Sequence, residues 1–143
     1  MGLDSGLLVK SDKRVLTRDM LPAGIIYPFE NDYNDDIEIV YFRKCWNIRN
    51  SVMNHFNWRF ESDSQWQFPI DKPEQILELI EIFASWLDEE RWEEDGNSIW
   101  TYKEVRQSII NAIVNCAIIY TFMLNNPDVY LVFYDSYRFY GQT

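Results

Sequence analysis

The strongest constraint on how this chain folds is the long apolar stretch from Ser108 to Leu124. Just before it, Thr101 and Glu104 form a capping box, in which each side chain satisfies the other residue's backbone N–H. The sequence therefore predicts a helix over about 102–124. Because this helix is apolar nearly all round, we expect the rest of the fold, and not a membrane, to enclose it. Its narrow polar strip consists of Glu104, Ser108, Asn111 and Asn115.

A second helix, with two distinct faces, is predicted over about 72–93 and should end before Gly96. Asp71 and Glu74 form an Asp variant of the capping box, and Pro73 is tolerated in a first helical turn. At about 100° per residue, the acidic side chains fall opposite the apolar ones. The apolar arc consists of Ile76, Leu79, Ile80, Phe83, Trp86 and Leu87.

Two further elements are predicted between the acidic loop near residue 30 and the second helix. Asp35 or Asp36 can cap a first helix over about 36–56, whose stripe includes Ile37, Val40 and Tyr41. Aromatic residues then alternate on both sides of a turn-rich segment, which favours a small β-hairpin over about 57–68. The two aromatic triplets are Trp58-Arg59-Phe60 and Trp66-Gln67-Phe68.

The two ends of the chain carry short strand-like segments. Leu7 to Val9 lies in an N-terminal tail, residues 1–18, whose order the sequence leaves open. Val129 to Tyr134 is β-branched and aromatic, which favours a strand, although a fourth helix capped by Asn126 is the alternative. The expected fold is thus α+β and mainly α, with three long helices, a small hairpin and short terminal strands in a single domain, 1–143.

Composition bounds the class of protein. At 143 residues and 47% apolar, the chain has the size and content of one globular domain. Cys45 and Cys116 are its only cysteines and are far apart, which is unlike a secreted disulfide scaffold. The first residues lack the basic and apolar regions of a signal peptide. We therefore expect a cytoplasmic protein.

Catalytic residues are scarce in this sequence. His55 is the only histidine, so a zinc site or a nucleophile–histidine pair has too few residues to draw on. The five glycines form no phosphate-binding loop. We expect no catalytic residues, no metal and no cofactor, and therefore a protein that is not an enzyme.

One carboxylate run nevertheless has a counterpart among enzymes. Glu89, Glu90 and Glu93 resemble the E-E-x-x-E element of the all-α nucleoside triphosphate pyrophosphohydrolases. That family carries a second element, E-x-x-D, on a later helix, whereas the corresponding segment here, Glu104 to Gln107, ends in Gln. A carboxylate–magnesium phosphohydrolase is therefore ranked below the two interaction functions that are described at the end of this subsection.

The net charge of −10 is concentrated in one quarter of the chain. Residues 61–95 contain twelve acidic side chains against Lys72 and Arg91, and the remainder of the chain is balanced. Such a surface repels phosphate and attracts basic protein faces. We therefore expect no direct binding of nucleic acid and no membrane partner. The predicted partner-binding residues are Glu74, Glu78, Glu81, Asp88, Glu89, Glu90, Trp92, Glu93, Glu94 and Asp95.

Two hypotheses explain this charge. Glu74, Glu78 and Glu81 rise along the helix axis in steps of roughly 6 Å and 4.5 Å, which approaches the spacing of phosphates along a nucleic-acid strand. Small acidic inhibitors from phages and mobile elements act in this way on restriction or CRISPR effectors, so the first hypothesis is a nucleic-acid mimic that binds a basic protein. The alternative is a structural or regulatory homodimer whose acidic face only keeps it soluble.

Overall fold

The structure is a computed structural model that describes residues 4–32, 36–59, 67–96 and 99–136. Within these ranges the chain forms four strands and four helices, and a 3-10 turn at Arg18–Met20. In chain order the elements are β1 (Asp4–Ser11), β2 (Ile37–Arg43), α1 (Trp46–His55), β3 (Gln67–Ile70), α2 (Pro73–Ser85), α3 (Glu89–Asp95), α4 (Tyr102–Asn125) and β4 (Val129–Asp135).

The four strands form one antiparallel sheet in the order β2-β1-β4-β3. The two terminal strands, β1 and β4, are therefore the central strands of the sheet. Side chains alternate between its faces: Leu7 and Val9 join the main core with all four helices, whereas Leu8, Val132 and Tyr134 form a separate cluster. The helices thus cover one face of the sheet, and within the described ranges no helix covers the other face.

The predicted first helix over 36–56 is wrong in its first half. Residues Ile37–Arg43 are strand β2, and the helix α1 begins only at Trp46. A bulge shifts the pairing so that Leu7 lies opposite Val40 but Leu8 lies opposite Glu38. Both Ile39 and Val40 are consequently buried. The bulge interrupts the period of two, and the remaining apolar spacing resembles that of a helix.

The predicted hairpin over 57–68 is also wrong. Phe60 to Trp66 lies outside the described residues, Trp58 and Arg59 belong to no strand, and β3 pairs with β4. The aromatic side chains do meet: the ring centroids of Trp58 and Phe68 are 5.0 Å apart, in a stacked arrangement. Trp58 and Phe68, the aromatic members of the two triplets that the structure describes, are therefore related by ring packing and not by pairing with each other as strands.

The predicted helix over 72–93 is two helices, α2 and α3. The N-cap of α2 is Lys72, one residue later than the proposed Asp71, and the Lys72 backbone N–H donates to Gln75 Oε1 at 3.1 Å. It ends at Ser85, and Asp88 then caps α3 by accepting a hydrogen bond from the Arg91 backbone N–H at 3.2 Å. Three long helices are thus replaced by one long helix, α4, and three shorter ones.

The third predicted helix is confirmed as α4, and so is its capping box. Glu104 N–H donates to Thr101 Oγ1 at 3.3 Å, and Thr101 N–H donates to Glu104 Oε2 at 3.1 Å. The preference for a C-terminal strand over a fourth helix is confirmed by β4.

The expectation that the fold encloses α4 is wrong. One stripe is buried, from Val105 to Met123, but Val114 is 37% exposed and Leu124 is 56% exposed. Within the described part of the chain, α4 is the one helix long and apolar enough to cross a membrane, and 33% of its most apolar window is buried. Asn115, from the predicted polar strip, is fully buried and donates to the carbonyls of Ile26 and Ile39.

Candidate functional site

The structure divides the predicted partner-binding residues between two consecutive helices. Glu74, Glu78 and Glu81 lie on α2, Asp88 caps α3, and the remaining residues lie on α3. Seven of the ten are exposed at the surface, and we call these seven carboxylates the acidic surface. They are Glu74, Glu81, Asp88, Glu89, Glu90, Glu93 and Glu94.

The acidic surface has little neutralising charge. Apart from Asp95, the predicted partner-binding residues make one ion pair among the described residues, between Glu78 and His55 Nε2 at 3.2 Å, and that histidine carries charge only when protonated. Arg91 lies within the acidic run, but its guanidinium carbon sits 3.7 Å from the centroid of the Trp86 ring and its Nη1 donates to Ser85 Oγ. Arg91 therefore fixes α3 against α2.

Trp92, the one aromatic side chain among the predicted partner-binding residues, faces the interior. It is 4% exposed, its Nε1 donates to the Trp100 carbonyl at 3.0 Å, and its ring meets that of Trp86 edge to face. Such a side chain holds α3 in position and presents its neighbouring carboxylates to solvent.

Glu94 and Asp95 border a polar cleft between α3 and α1, with a volume of ≈ 470 Å³. Helix α1 contributes three asparagines to it, at spacings that place them on one face. The side-chain nitrogen of buried Asn47 has no hydrogen-bond acceptor among the described residues. The sequence analysis did not identify these residues, although a polar stripe at helical spacing marks them: Asn47, Asn50 and Asn54.

A second group of carboxylates lies on the opposite face of the sheet, around a cavity of ≈ 450 Å³ that we call the sheet pocket. Its floor is formed by outward-facing residues of β1, β2 and β4, and one wall is the loop 29–32. Arg18 holds that loop by donating to the carbonyls of Phe29 and Glu30 and to Asp32. The lining residues that matter below are Asp4, Phe29, Asp32, Asp36, Glu38, Tyr41 and Tyr134.

Two tyrosine hydroxyls donate to the carboxylates on the floor. Tyr41 Oη donates to Asp4 Oδ1 at 2.9 Å, and Tyr134 Oη donates to Glu38 Oε2. Gly6 lies beneath the second pair, where a Cβ would stand 2.7 Å from Glu38 Oε2 and 3.0 Å from the Tyr134 ring. The absence of a side chain at Gly6 therefore leaves room for the Glu38–Tyr134 hydrogen bond.

Burial changes the ionisation of this floor. The pKa of Glu38 is raised to about 7, mainly by desolvation and to a smaller extent by the nearby Asp4 and Asp36 carboxylates, and the hydrogen bond from the Tyr134 hydroxyl opposes this shift. Desolvation also raises the pKa values of Tyr41 and Tyr134, which stay protonated as hydrogen-bond donors. The floor thus carries a carboxyl group that titrates near neutral pH.

Neither region is arranged as a metal centre within the described ranges, where no group of three or more His, Cys, Asp or Glu side chains is placed to hold an ion. Glu104, the later position considered for a phosphohydrolase, is engaged in the capping box of α4. No family model matches the sequence, and no match is found among curated proteins or solved structures. The function is therefore inferred from the chemistry of the chain itself.

Proposed function

We propose that this protein is a non-enzymatic interaction domain whose acidic surface binds a basic, nucleic-acid-binding surface of another protein. The observation that carries this proposal is the pairing of charges. Outside the acidic run, four aspartates have a lysine or arginine within 4.0 Å: Asp32, Asp36, Asp128 and Asp135. On the acidic surface no carboxylate has such a partner among the described residues.

Exposed and unpaired carboxylates are suited to rapid, electrostatically guided association. A cluster of like charges steers an oppositely charged partner during encounter and excludes partners of the same charge. Glu74 and Glu81 are seven residues apart and both are exposed, so they mark a row of charge about 10 Å long on α2. The acidic cap and first turn of α3 follow α2 in the chain and add further exposed carboxylates. This arrangement supports imitation of a phosphate backbone.

The test is affinity capture of partners from cells that produce the protein, followed by measurement with the purified partner. The triple variant Glu74→Lys, Glu81→Lys, Glu90→Lys should abolish binding. The matched control makes the same charge change at exposed acids elsewhere, Asp12→Lys, Asp19→Lys, Glu30→Lys, and should bind nearly as well as the wild type.

Two further readouts separate mimicry from ordinary charge attraction. Binding should weaken steeply with added salt, because exposed charges are screened. Duplex DNA or RNA should displace the protein from its partner, since both would occupy the same basic surface. A partner that binds both triple variants equally, or that nucleic acid does not displace, would contradict the proposal.

A second function, self-association, is favoured by the apolar side chains that the helical layer exposes. Leu77 on α2 is 43% exposed, and Val114 and Leu124 on α4 are exposed as well. The two helices run antiparallel: Tyr102 Oη, at the start of α4, donates to the Leu87 carbonyl just past the end of α2. These residues therefore lie on one layer that a second copy could cover.

Sedimentation equilibrium distinguishes the two functions. A homodimer through this layer should persist at high salt, since burial of apolar area is not screened, and Leu124→Glu with Val114→Glu should dissociate it. The exposed Val15→Glu is the matched control, because Val15 is 75% exposed and lies outside the helical layer. A monomer at all concentrations would exclude the homodimer.

A further inference from the structure

Two carboxylates of the sheet pocket have no compensating cation among the described residues. Asp32 has Arg18 Nε at 2.8 Å and Asp36 has Lys10 Nζ at 3.5 Å. Asp4 and Glu38 accept hydrogen bonds from tyrosine hydroxyls instead, and neither forms an ion pair within the described residues. Because a hydroxyl donor brings no charge, the pocket attracts a cation between its floor and its wall.

Three aromatic side chains line the pocket as well. Among the described residues, Arg18 is the one cation in the lining and is paired with Asp32, and the other lining residues are Leu8, Asn31 and Ser136. Tyr41 and Tyr134 stand on the floor, and Phe29 projects from the wall with its ring centroid 4.9 Å from that of Tyr41, at a tilt of 60°. The face of an aromatic ring attracts a cation, and rings in combination recognise alkylated ammonium groups. Phe29 is 43% exposed although it is a large apolar side chain, which places its ring within reach of a ligand.

The size of the pocket fits a small ligand. Its ≈ 450 Å³ lies in the range of small-molecule sites, roughly 300 to 1,000 Å³. A bare metal ion would need several oxygen ligands in a close shell. In this pocket Asp32 and Asp36 are already paired with cations, and the other two carboxylates are flanked by ring faces. Its chemistry matches a cation that has an apolar surface of its own.

We propose that the sheet pocket binds an organic cation, an alkylammonium group whose charge is neutralised by Asp4 and Glu38 and whose carbon atoms contact Phe29, Tyr41 and Tyr134. The site lies on the face of the sheet opposite the helices, so it is separate from the acidic surface. Its test requires no protein partner, and its outcome does not depend on the function proposed above.

The probe is choline, with 3,3-dimethylbutan-1-ol as its uncharged analogue of nearly the same shape. Titration calorimetry should give a choline Kd on the order of 0.1 to 1 mM, as a ligand of this size allows. The alcohol should bind at least roughly tenfold more weakly, because it lacks the charge. In an NMR titration, choline should shift the backbone amide of Gly6 on the pocket floor.

Two variants test the two parts of the site. Above pH 7, where Glu38 is ionised, Glu38→Gln keeps an acceptor for the Tyr134 hydroxyl and removes the charge, and should weaken choline binding roughly tenfold. Phe29→Leu keeps apolar volume and removes the ring, and should weaken it roughly three- to tenfold. Asp19→Asn, which removes an exposed charge outside the pocket lining, should leave the affinity unchanged. Thermal unfolding of each variant verifies that it is folded.

The proposal is overturned if choline and the alcohol bind equally, if neither binds, or if Glu38→Gln binds choline as tightly as the wild type. Blocked peptides that contain lysine or trimethyllysine identify the source of the cation. Tighter binding of a peptide than of choline would assign the site to a protein side chain. Binding of choline at least as tight as that of the peptides would assign it to a free amine. Both results support the site.

Discussion

The acidic surface and the sheet pocket both gather carboxylates, but the fold treats them in opposite ways. On α2 and α3 the carboxylates stand in solvent, where water and salt reduce their mutual repulsion and no internal cation is required. On the outer face of the sheet, Asp4 and Glu38 are half-buried and receive tyrosine hydrogen bonds. Burial therefore makes the pocket sensitive to small changes that the exposed surface should tolerate.

The largest expected difference is in the loss of stability on substituting alanine for Gly6, on the floor of the sheet pocket, and for Gly96, which ends α3. In Gly6→Ala, the new Cβ would stand 2.0 Å from the Val40 carbonyl oxygen and against Glu38, which should cost about 3 kcal/mol or more. At Gly96, which ends α3 with φ +69°, a Cβ meets nothing within 4 Å, so Gly96→Ala should cost about 1 kcal/mol of backbone strain. Urea unfolding measures both. Equal losses would contradict the close packing of the pocket floor.

The next largest effect is a pH dependence of the free energy of unfolding that arises from Glu38 in the sheet pocket. Because the pKa of Glu38 is raised from 4.5 to about 7, its contribution to stability is complete below pH 4.5 and is lost as the pH rises through 7. Discounted for partial exposure, this amounts to about 2 kcal/mol. Glu38→Gln should match the wild type at low pH and exceed its free energy of unfolding above pH 7.

Glu93→Gln, on the acidic surface, is the matched control for this measurement. It removes one exposed carboxylate from α3 and should alter the pH profile little. If Glu38→Gln and the wild type lose stability in parallel as the pH rises, then Glu38 is not the titrating group.

A smaller effect is expected where the acidic surface has a structural role. Asp88→Ala removes the acceptor for the Arg91 N–H and should lower the free energy of unfolding by about 1 kcal/mol. Glu90→Ala, in the same first turn, loses a favourable interaction with the helix dipole and should cost less than about 0.5 kcal/mol. Identical costs in thermal unfolding would show that the cap does not hold α3.

The smallest effect is expected for Glu74→Lys combined with Glu81→Lys. Both side chains are exposed on α2, so the free energy of unfolding should change by less than about 0.5 kcal/mol even though binding to a basic partner is lost. A loss of several kcal/mol in calorimetry would mean that these carboxylates stabilise the fold, and loss of binding would then say little about recognition.

The parts of the fold that sequence could predict are those governed by local signals. The capping box at Thr101 and Glu104 predicts the start of α4, and the β-branched run from Val129 predicts β4. Strand β2 was missed because its bulge hides the alternation. The break between α2 and α3 was missed because the apolar arc continues through Trp86, which the fold uses as the end of one helix.

The two candidate sites differ in the same respect. A charge run such as Asp88 to Asp95 is visible in the sequence, although burial of Trp92 within it was not. The sheet pocket has no contiguous signal, since Asp4, Glu38 and Tyr134 come from three strands that only the sheet order brings together. The local sequence signal for the pocket is the alternation in β1, where Gly6 occupies the outward-facing position between Asp4 and Leu8.

The place of β1 at the centre of the sheet also has a consequence for synthesis. Asp4 exchanges hydrogen bonds with Ser136, a residue 132 positions away, so β1 leaves the ribosome long before its partner β4. Until then one edge of β1 stays open, and closing so long a loop is slow. A nascent or truncated chain that stops before Val129 would present this edge to its neighbours, so aggregation is the expected fate of interrupted translation.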